Sequence, residues 1–200
     1  TFNLHASLLP QYRGAAPINW AIINGEQETG VTTFLLNHEI DKGDILGQSR
    51  VQILPGDNVG SLHDKLMETG TDLVVRTVEK IAAGDTAPIP QPQTETTGLK
   101  GAPKIFKETC RIDWTQGCNE INNLIRGLSP YPAAWTELVR GESASILKIY
   151  TVEPEPSPHQ EQPGTIRSDN KQIFKVACGD GYIRITELQL AGKKRMHADE

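Results

Sequence analysis

Asn3-Leu4-His5-Ala6-Ser7-Leu8-Leu9-Pro10, followed by Tyr12-Arg13-Gly14, decides how this chain is read. Side chains alternate along an extended strand, so Asn3 and His5 project from one face. An amide donor beside a titratable ring at a strand end can stabilise an oxyanion and handle a proton. A carboxylate, Asp41, follows in Glu39-Ile40-Asp41-Lys42-Gly43-Asp44, 38 positions after Asn3, with room between for a helix and one more strand. Taken singly, Asn3 suits a strand end, His5 a structural histidine and Asp41 before Lys-Gly a turn. Their order and spacing together point to a site.

Outward from this stretch, residues 1–6 read as a strand and 7–14 as a loop. Pro17 suits a first helical turn, and Ile18, Ala21 and Ile22 keep helical spacing up to Gly25. Residues 31–37 and 45–54 read as an antiparallel ribbon around a loop at 38–43. Asp57 is the predicted N-cap of a long helix. Leu62, Leu66, Leu73, Val74, Val78 and Ile81 share its apolar face, and Gly84 ends it. Gly70 within that helix predicts a local loss of about 1 kcal/mol relative to Ala.

The stretch 86–103 is rich in Pro, Thr, Gln and Gly and reads as an interdomain linker. Beyond it, Arg111-Ile112-Asp113-Trp114 leads into a short helix carrying Ile121, Leu124, Ile125 and Leu128, stopped by Pro130 and Pro132. Strand-like runs at 134–138, 146–152, 172–178 and 182–190 then suggest a small barrel. The expected fold class is α/β plus β: an α/β domain over 1–90, a linker over 91–103 and a β-barrel domain over 104–200.

Composition is that of a globular protein, with 37% hydrophobic and 22% charged residues and a net charge of −5. No apolar run approaches membrane-spanning length and no signal peptide is apparent. Residues 1–92 hold 6 Lys/Arg against 11 Asp/Glu, whereas 93–200 hold 14 of each, so any polyanion-binding face is a local patch in the second half. Cys110, Cys118 and Cys178 are odd in number and lack close pairing or a neighbouring His, which predicts free thiols, a reducing cytoplasmic setting and no metal. The chain goes from Thr1 straight into a core strand, so it is expected to lack an N-terminal part.

The composite Asn-x-His-x-Ser-Leu-Leu-Pro, Tyr-Arg-Gly-Ala-Ala-Pro-Ile and Asp-x-Gly-Asp resembles the formyltransferases that use 10-formyltetrahydrofolate. The resemblance implies the C-terminal half of a Rossmann-like domain followed by an OB-like barrel. It implies Asn3, His5 and Asp41 as the catalytic trio. Ser7, Leu8, Leu9 and Pro10 match the folate-contacting loop, and Asn37, His38, Glu39 and Ile40 the loop lining the pterin pocket. Gly14 is expected to permit a tight turn beside the ligand, and Arg13 to meet a substrate phosphate or the folate glutamate.

The second half narrows the acceptor. Ile112-Asp113-Trp114, Arg126-Gly127-Leu128-Ser129-Pro130-Tyr131-Pro132 and Leu188–Met196 resemble the member of the family that formylates methionyl-tRNA, and more weakly those acting on amino-sugar nucleotides. Lys193, Lys194 and Arg195 form a compact cationic group suited to phosphate, with Lys104, Lys107 and Arg126 as further tRNA-binding candidates. Trp114 and Trp135 are expected in a barrel core or domain interface. The family's first strands and helices are missing from this stretch, and with them one wall of the folate pocket, so the chain alone is expected to be inactive. An acceptor-independent hydrolase and a tRNA-holding module without catalysis remain alternatives. Oligomeric state stays open, with a monomer expected for the complete enzyme.

Overall fold

The structure, a computed structural model, describes residues 1–92, 98–169, 171 and 173–199. The chain forms two compact units. One comprises 1–22 with 26–105, the other 23–25 with 106–200.

In the first unit, β1 (Phe2–His5), β2 (Arg13–Gly14), α1 (Pro17–Ile23), β3 (Glu28–Leu35), β4 (Ile45–Gln52), α2 (Val59–Ala82) and β5 (Gly101–Ala102) follow in order. The main sheet runs β1-β3-β4, antiparallel throughout, with Asn3 opposite Phe34 and His5 opposite Thr32. The segment read as loop contains β2, which pairs in parallel with β5. Helix α2 covers one face of β3 and β4. The core of the unit is formed by Tyr12, Ala21, Ile22, Val31, Ile53, Leu62, Leu66, Leu73 and Ala102.

Two expectations for α2 are corrected. Its N-cap is Asn58 rather than Asp57: the Asn58 amide oxygen accepts Ser61 N–H at 3.0 Å, while Ser61 Oγ accepts Asn58 N–H at 3.1 Å. Asp57 folds under instead and accepts from Leu54 N (2.7 Å), Ser61 Oγ (2.9 Å) and Lys65 Nζ (2.6 Å). The buried stripe is Leu62, Leu66, Gly70, Leu73 and Thr77, whereas Val78 and Ile81 are exposed. Thr77 replaces the apolar residue that periodicity predicts because its hydroxyl is satisfied, donating to Leu73 O and meeting Thr33 Oγ1 at 2.9 Å.

The linker reading also changes where the structure describes it. Ile89 exchanges two backbone hydrogen bonds with Ile45, and Gln91 is buried. Residues 93–97 of that stretch lie outside the described residues, as does Gln172 at the head of one expected strand.

In the second unit, α3 (Cys118–Leu128) precedes β6 (Ala134–Arg140), β7 (Ser143–Pro156), β8 (Ile166–Ser168), β9 (Phe174–Ala177), β10 (Gly181–Leu190) and β11 (Met196–His197). The sheet order is β6-β7-β10-β9-β8, with β11 on β10. β10 carries a register shift around Glu187, the kind of bulge that bends a strand and curls a sheet. No pairing returns β8 to β6 among the described residues, so the expected barrel is an OB-like half-barrel. Helix α3 seals its inner face through buried Ile121, Ile125 and Leu128 against β7 and β10.

Candidate active site

Strand β1 divides its side chains as its period requires. Leu4 turns toward α2, close to Gly70, and Asn3 and His5 occupy the other face. His5 is buried and its Nε2–H donates to the carbonyl of Tyr12 at 2.9 Å. That bond leaves Nδ1 facing the site, 3.7 Å from Asp41 Oδ2. The separation is an ion-pair distance, longer than a direct hydrogen bond and suited to a bridging water. Asp41 Oδ2 also accepts Gly14 N–H at 2.9 Å. Asn3 is exposed, and its amide is not engaged by another side chain among the described residues.

Tyr12 and Asp41, the two groups that flank the imidazole, are both non-glycine residues in the left-handed region, at φ 58° and φ 54°. Such a conformation costs about 1 kcal/mol or more per residue and persists only where neighbours impose it. Gly14, at φ 126°, meets the close approach its position demands: a Cβ there would lie 2.4 Å from Ala102 O. The tight turn expected at Gly14 is therefore built against β5.

The loop after β1 is held from within. Ser7 is fully buried and its hydroxyl donates to Gln11 O at 2.6 Å. Leu9 is buried, its N–H on Thr32 Oγ1 (3.1 Å) and its carbonyl accepting Gln48 Nε2 (2.8 Å). Thr32 Oγ1 in turn donates to Ser7 O at 2.6 Å. The Ser7 hydroxyl and the Leu9 backbone thus anchor the loop, and half-buried Leu8 and Pro10 remain nearer its surface. Asn37, His38, Glu39 and Ile40 are all exposed; Asn37 Oδ1 caps Glu39 N at 2.9 Å, and Lys42 holds the Glu39 carboxyl below its usual range.

Three residues absent from the sequence-based site organise it: Thr32, Gln48 and Gln91. No signal in the sequence marks them, since each acts through partners far away along the chain. Arg13, expected at a substrate anion, donates from Nε and Nη2 to Gln91 Oε1 at 3.2 and 2.7 Å.

The cationic candidates of the second unit differ in how far they are committed. Arg195 donates to both Glu187 oxygens, at 2.5 and 2.6 Å, and lies 4.1 Å over the Tyr150 ring. Lys193 and Lys194 are exposed. Arg126 donates to Asn123 Oδ1, and Lys107 lies 5.5 Å over the Trp135 ring, which Arg111 also faces at 5.6 Å. Trp135 is half-buried between cations with its indole N–H on Lys107 O, and Trp114 is half-buried with its indole N–H on Thr136 Oγ1, so neither is a fully buried core residue. Lys104, at the end of the first unit, is exposed.

The thiols are closer than their spacing suggested. The fold brings Cys118 Sγ within 3.3 Å of Cys178 Sγ, across 60 positions of chain, and both are buried. With Asp180 they are a group of metal-ligand types, their donor atoms within 4.8 Å of one another. Burial, with Cys178 and Asp180 alongside, pushes the Cys118 thiol far up, which disfavours the thiolate that an electrophile needs.

An α/β unit with Asn3, His5 and Asp41 at the edge of its sheet, followed along the chain by a unit built on a curled antiparallel sheet, defines a class. The family model described as "Formyl transferase" matches residues 1–78, and "Formyl transferase, C-terminal domain" matches 104–200. The methionyl-tRNA formyltransferase of Phocaeicola vulgatus is 59% identical over 200 residues, covering 98% of this chain and 62% of that one. The enzyme of the same name from Flavobacterium johnsoniae is 50% identical, covering 100% and 62%. The two models together match most of the chain, which belongs to the formyltransferase family, and it spans about 62% of the length of these relatives. Among solved structures, HypX from Aquifex aeolicus in complex with tetrahydrofolic acid superposes with TM-score 0.72 at 22% identity, over 99% of this chain and 34% of that one. The N-formyltransferase of Helicobacter canadensis with folinic acid and dTDP-3-aminofucose gives 0.71 at 21%, over 98% and 66%. These likenesses show the fold: a Rossmann-like formyltransferase region followed by the half-barrel. No helix among the described residues is long and apolar enough to cross a membrane.

Proposed function

We propose that this chain carries the reaction centre of an enzyme that moves the formyl group of 10-formyltetrahydrofolate to the α-amino group of methionyl-tRNA. The observation that carries the reading is the convergence of His5 Nδ1 and Asp41 Oδ2, 3.7 Å apart, on the face that Asn3 shares. The identity of 46–59% to relatives bearing that name supports the acceptor.

The chemistry follows from the donors. The amine nitrogen attacks the formyl carbon and the carbonyl oxygen becomes an oxyanion, to which the Asn3 amide N–H donates. The C–N bond to the folate then breaks. The amine gives up one proton and the folate nitrogen takes one. His5 Nδ1, held in place by the Tyr12 carbonyl on its other nitrogen, meets the oxyanion or relays that proton, with Asp41 receiving it directly or through water. The Ser7–Pro10 loop, stiffened by Thr32 and Gln48, and the exposed 37–40 loop border the folate. In the second unit, Lys193 and Lys194 are the cations best placed to meet tRNA phosphates, because Arg195 is already neutralised by Glu187.

The test is formyl transfer in the full-length protein with methionyl-tRNA and an amino-sugar nucleotide offered side by side. His5→Ala should cut turnover by roughly 100-fold or more while the protein still folds. Near-normal turnover removes His5 from the mechanism, and preference for the sugar overturns the acceptor.

A further inference from the structure

Gln91 lies in the stretch that composition marks as linker, yet it is 4% exposed and every hydrogen-bonding position of its amide is in use. Its Nε2 donates to Gly43 O at 2.7 Å and to Asp41 O at 3.0 Å. Its Oε1 accepts from Arg13 Nη2 at 2.7 Å and Nε at 3.2 Å. One amide therefore joins the backbone that presents the Asp41 carboxylate to the residue preceding Gly14, whose N–H that carboxylate accepts at 2.9 Å. Asp41 itself sits at φ 54°, left-handed backbone that Asp tolerates better than most side chains but that still costs free energy.

We infer that Gln91 is a positioning residue for the reaction: it holds Asp41 in its left-handed turn and so sets the 3.7 Å separation from His5 Nδ1. This rests on the function proposed above. Gln91 touches none of the reacting atoms. It acts by tying the Asp41 carbonyl, the Gly43 carbonyl and the Arg13 guanidinium to one buried point. Without it, two carbonyls lose the Gln91 donor, Arg13 keeps only the Pro92 carbonyl at 3.4 Å, and Asp41 is free to relax toward a right-handed φ that swings its carboxylate off Gly14.

Gln91→Met keeps the volume and removes all four bonds. Gln91→Glu keeps an acceptor for Arg13 but has no N–H to give, so it isolates the two donors. Hydrogen exchange at the Gly14 amide, followed by NMR in the 200-residue chain, reports the Asp41 contact without any turnover. Both variants should speed that exchange by roughly tenfold or more and leave the Leu9 amide, held by Thr32, as protected as before. In the full-length protein both should lower kcat by roughly 10- to 100-fold with KM for the folate donor within about twofold. A Gly14 amide as protected as in wild type overturns the inference. So does a freed Gly14 with unchanged kcat, and so does a loss shared equally by KM or by the Leu9 amide, which would mark a general structural role. A wild-type protein that transfers no formyl group overturns the reaction on which the inference rests, and is told apart from failure of the positioning itself by the Gly14 exchange.

Discussion

Gly43→Ala is the perturbation that the site geometry judges most sharply. Gly43 is buried, and a Cβ there would stand 1.5 Å from Leu35 O and 2.7 Å from Leu35 C, with Phe34 Cδ2 at 3.3 Å. The obstructing atoms are backbone of β3, which cannot rotate away as a side-chain tip can. An ordinary carbon–oxygen contact is about 3.3–3.6 Å, so the loop would have to retreat by roughly 2 Å. The same loop is tied by Leu35 N–H to Asp44 O (2.8 Å) and by Gln91 Nε2 to Gly43 O (2.7 Å). Losing those two bonds costs about 1 kcal/mol each, and overpacking adds about 1–3 kcal/mol. The expected loss is therefore about 3–5 kcal/mol, or roughly 10 °C in Tm for a chain of this size. Asp41 travels with the loop, and a displacement of that size should cost roughly 100-fold in turnover. Urea and thermal melts, paired with the formyl-transfer assay, read both effects. Gly56→Ala, which meets no atom within 4 Å, is the control and should change stability by less than about 0.5 kcal/mol. A Gly43→Ala protein as stable and as fast as wild type would refute the packing argument and the claim that this loop positions the carboxylate.

Two further outcomes concern groups outside the reaction. Burial alone would raise the Asp57 carboxyl, but Lys65, the Leu54 N–H and the Ser61 hydroxyl outweigh it and hold the group below its usual range. A depressed carboxylate gives stability that is present above its unfolded value of ~3.9 and is lost as pH falls through the folded value. Wild type should therefore exceed Asp57→Asn by about 1–2 kcal/mol at neutral pH, the difference closing below about pH 4; urea melts from pH 3 to 7 measure it, and a constant gap would sink the argument. The upward-shifted Cys118 thiol should resist iodoacetamide at pH 8 in the folded chain and react in urea; mass spectrometry of the modified peptide decides, and rapid native labelling would contradict the burial.

Much of this molecule is legible in order and period. The alternation Asn3-Leu4-His5 is local, so the face shared by the amide and the ring follows from chain geometry alone. The strands β3 and β4, the span of α2 and the strand-rich second half likewise arise from short-range periodicity and from turn residues, and the structure reproduces them within a few residues. The buried face of α2 was misread because the deciding partner was remote. Val78 and Ile81 have the right spacing for the buried face of α2, but Thr77 takes it because Thr33, 44 positions away, satisfies its hydroxyl. Asp57 looked like a cap and Asn58 is the cap: both accept a backbone N–H, but Asn58 takes that of Ser61 in the first turn, while Asp57 takes that of Leu54 and pairs with Lys65, all within eight positions.

By itself, the sequence determined which chemical groups this protein owns and in which order: an amide and an imidazole on one strand, a carboxylate after a ribbon, a cationic turn near the end. Those are properties of residues and of local backbone repeats. Only the tertiary structure decided that Asp41, on left-handed backbone, comes to His5, that a glutamine from a proline-rich stretch fastens it to Arg13, and that Cys118 meets Cys178. Each of these joins residues separated by tens of positions, and no local propensity encodes a distance between chain segments; packing and the demand that buried polar groups be paired supply it.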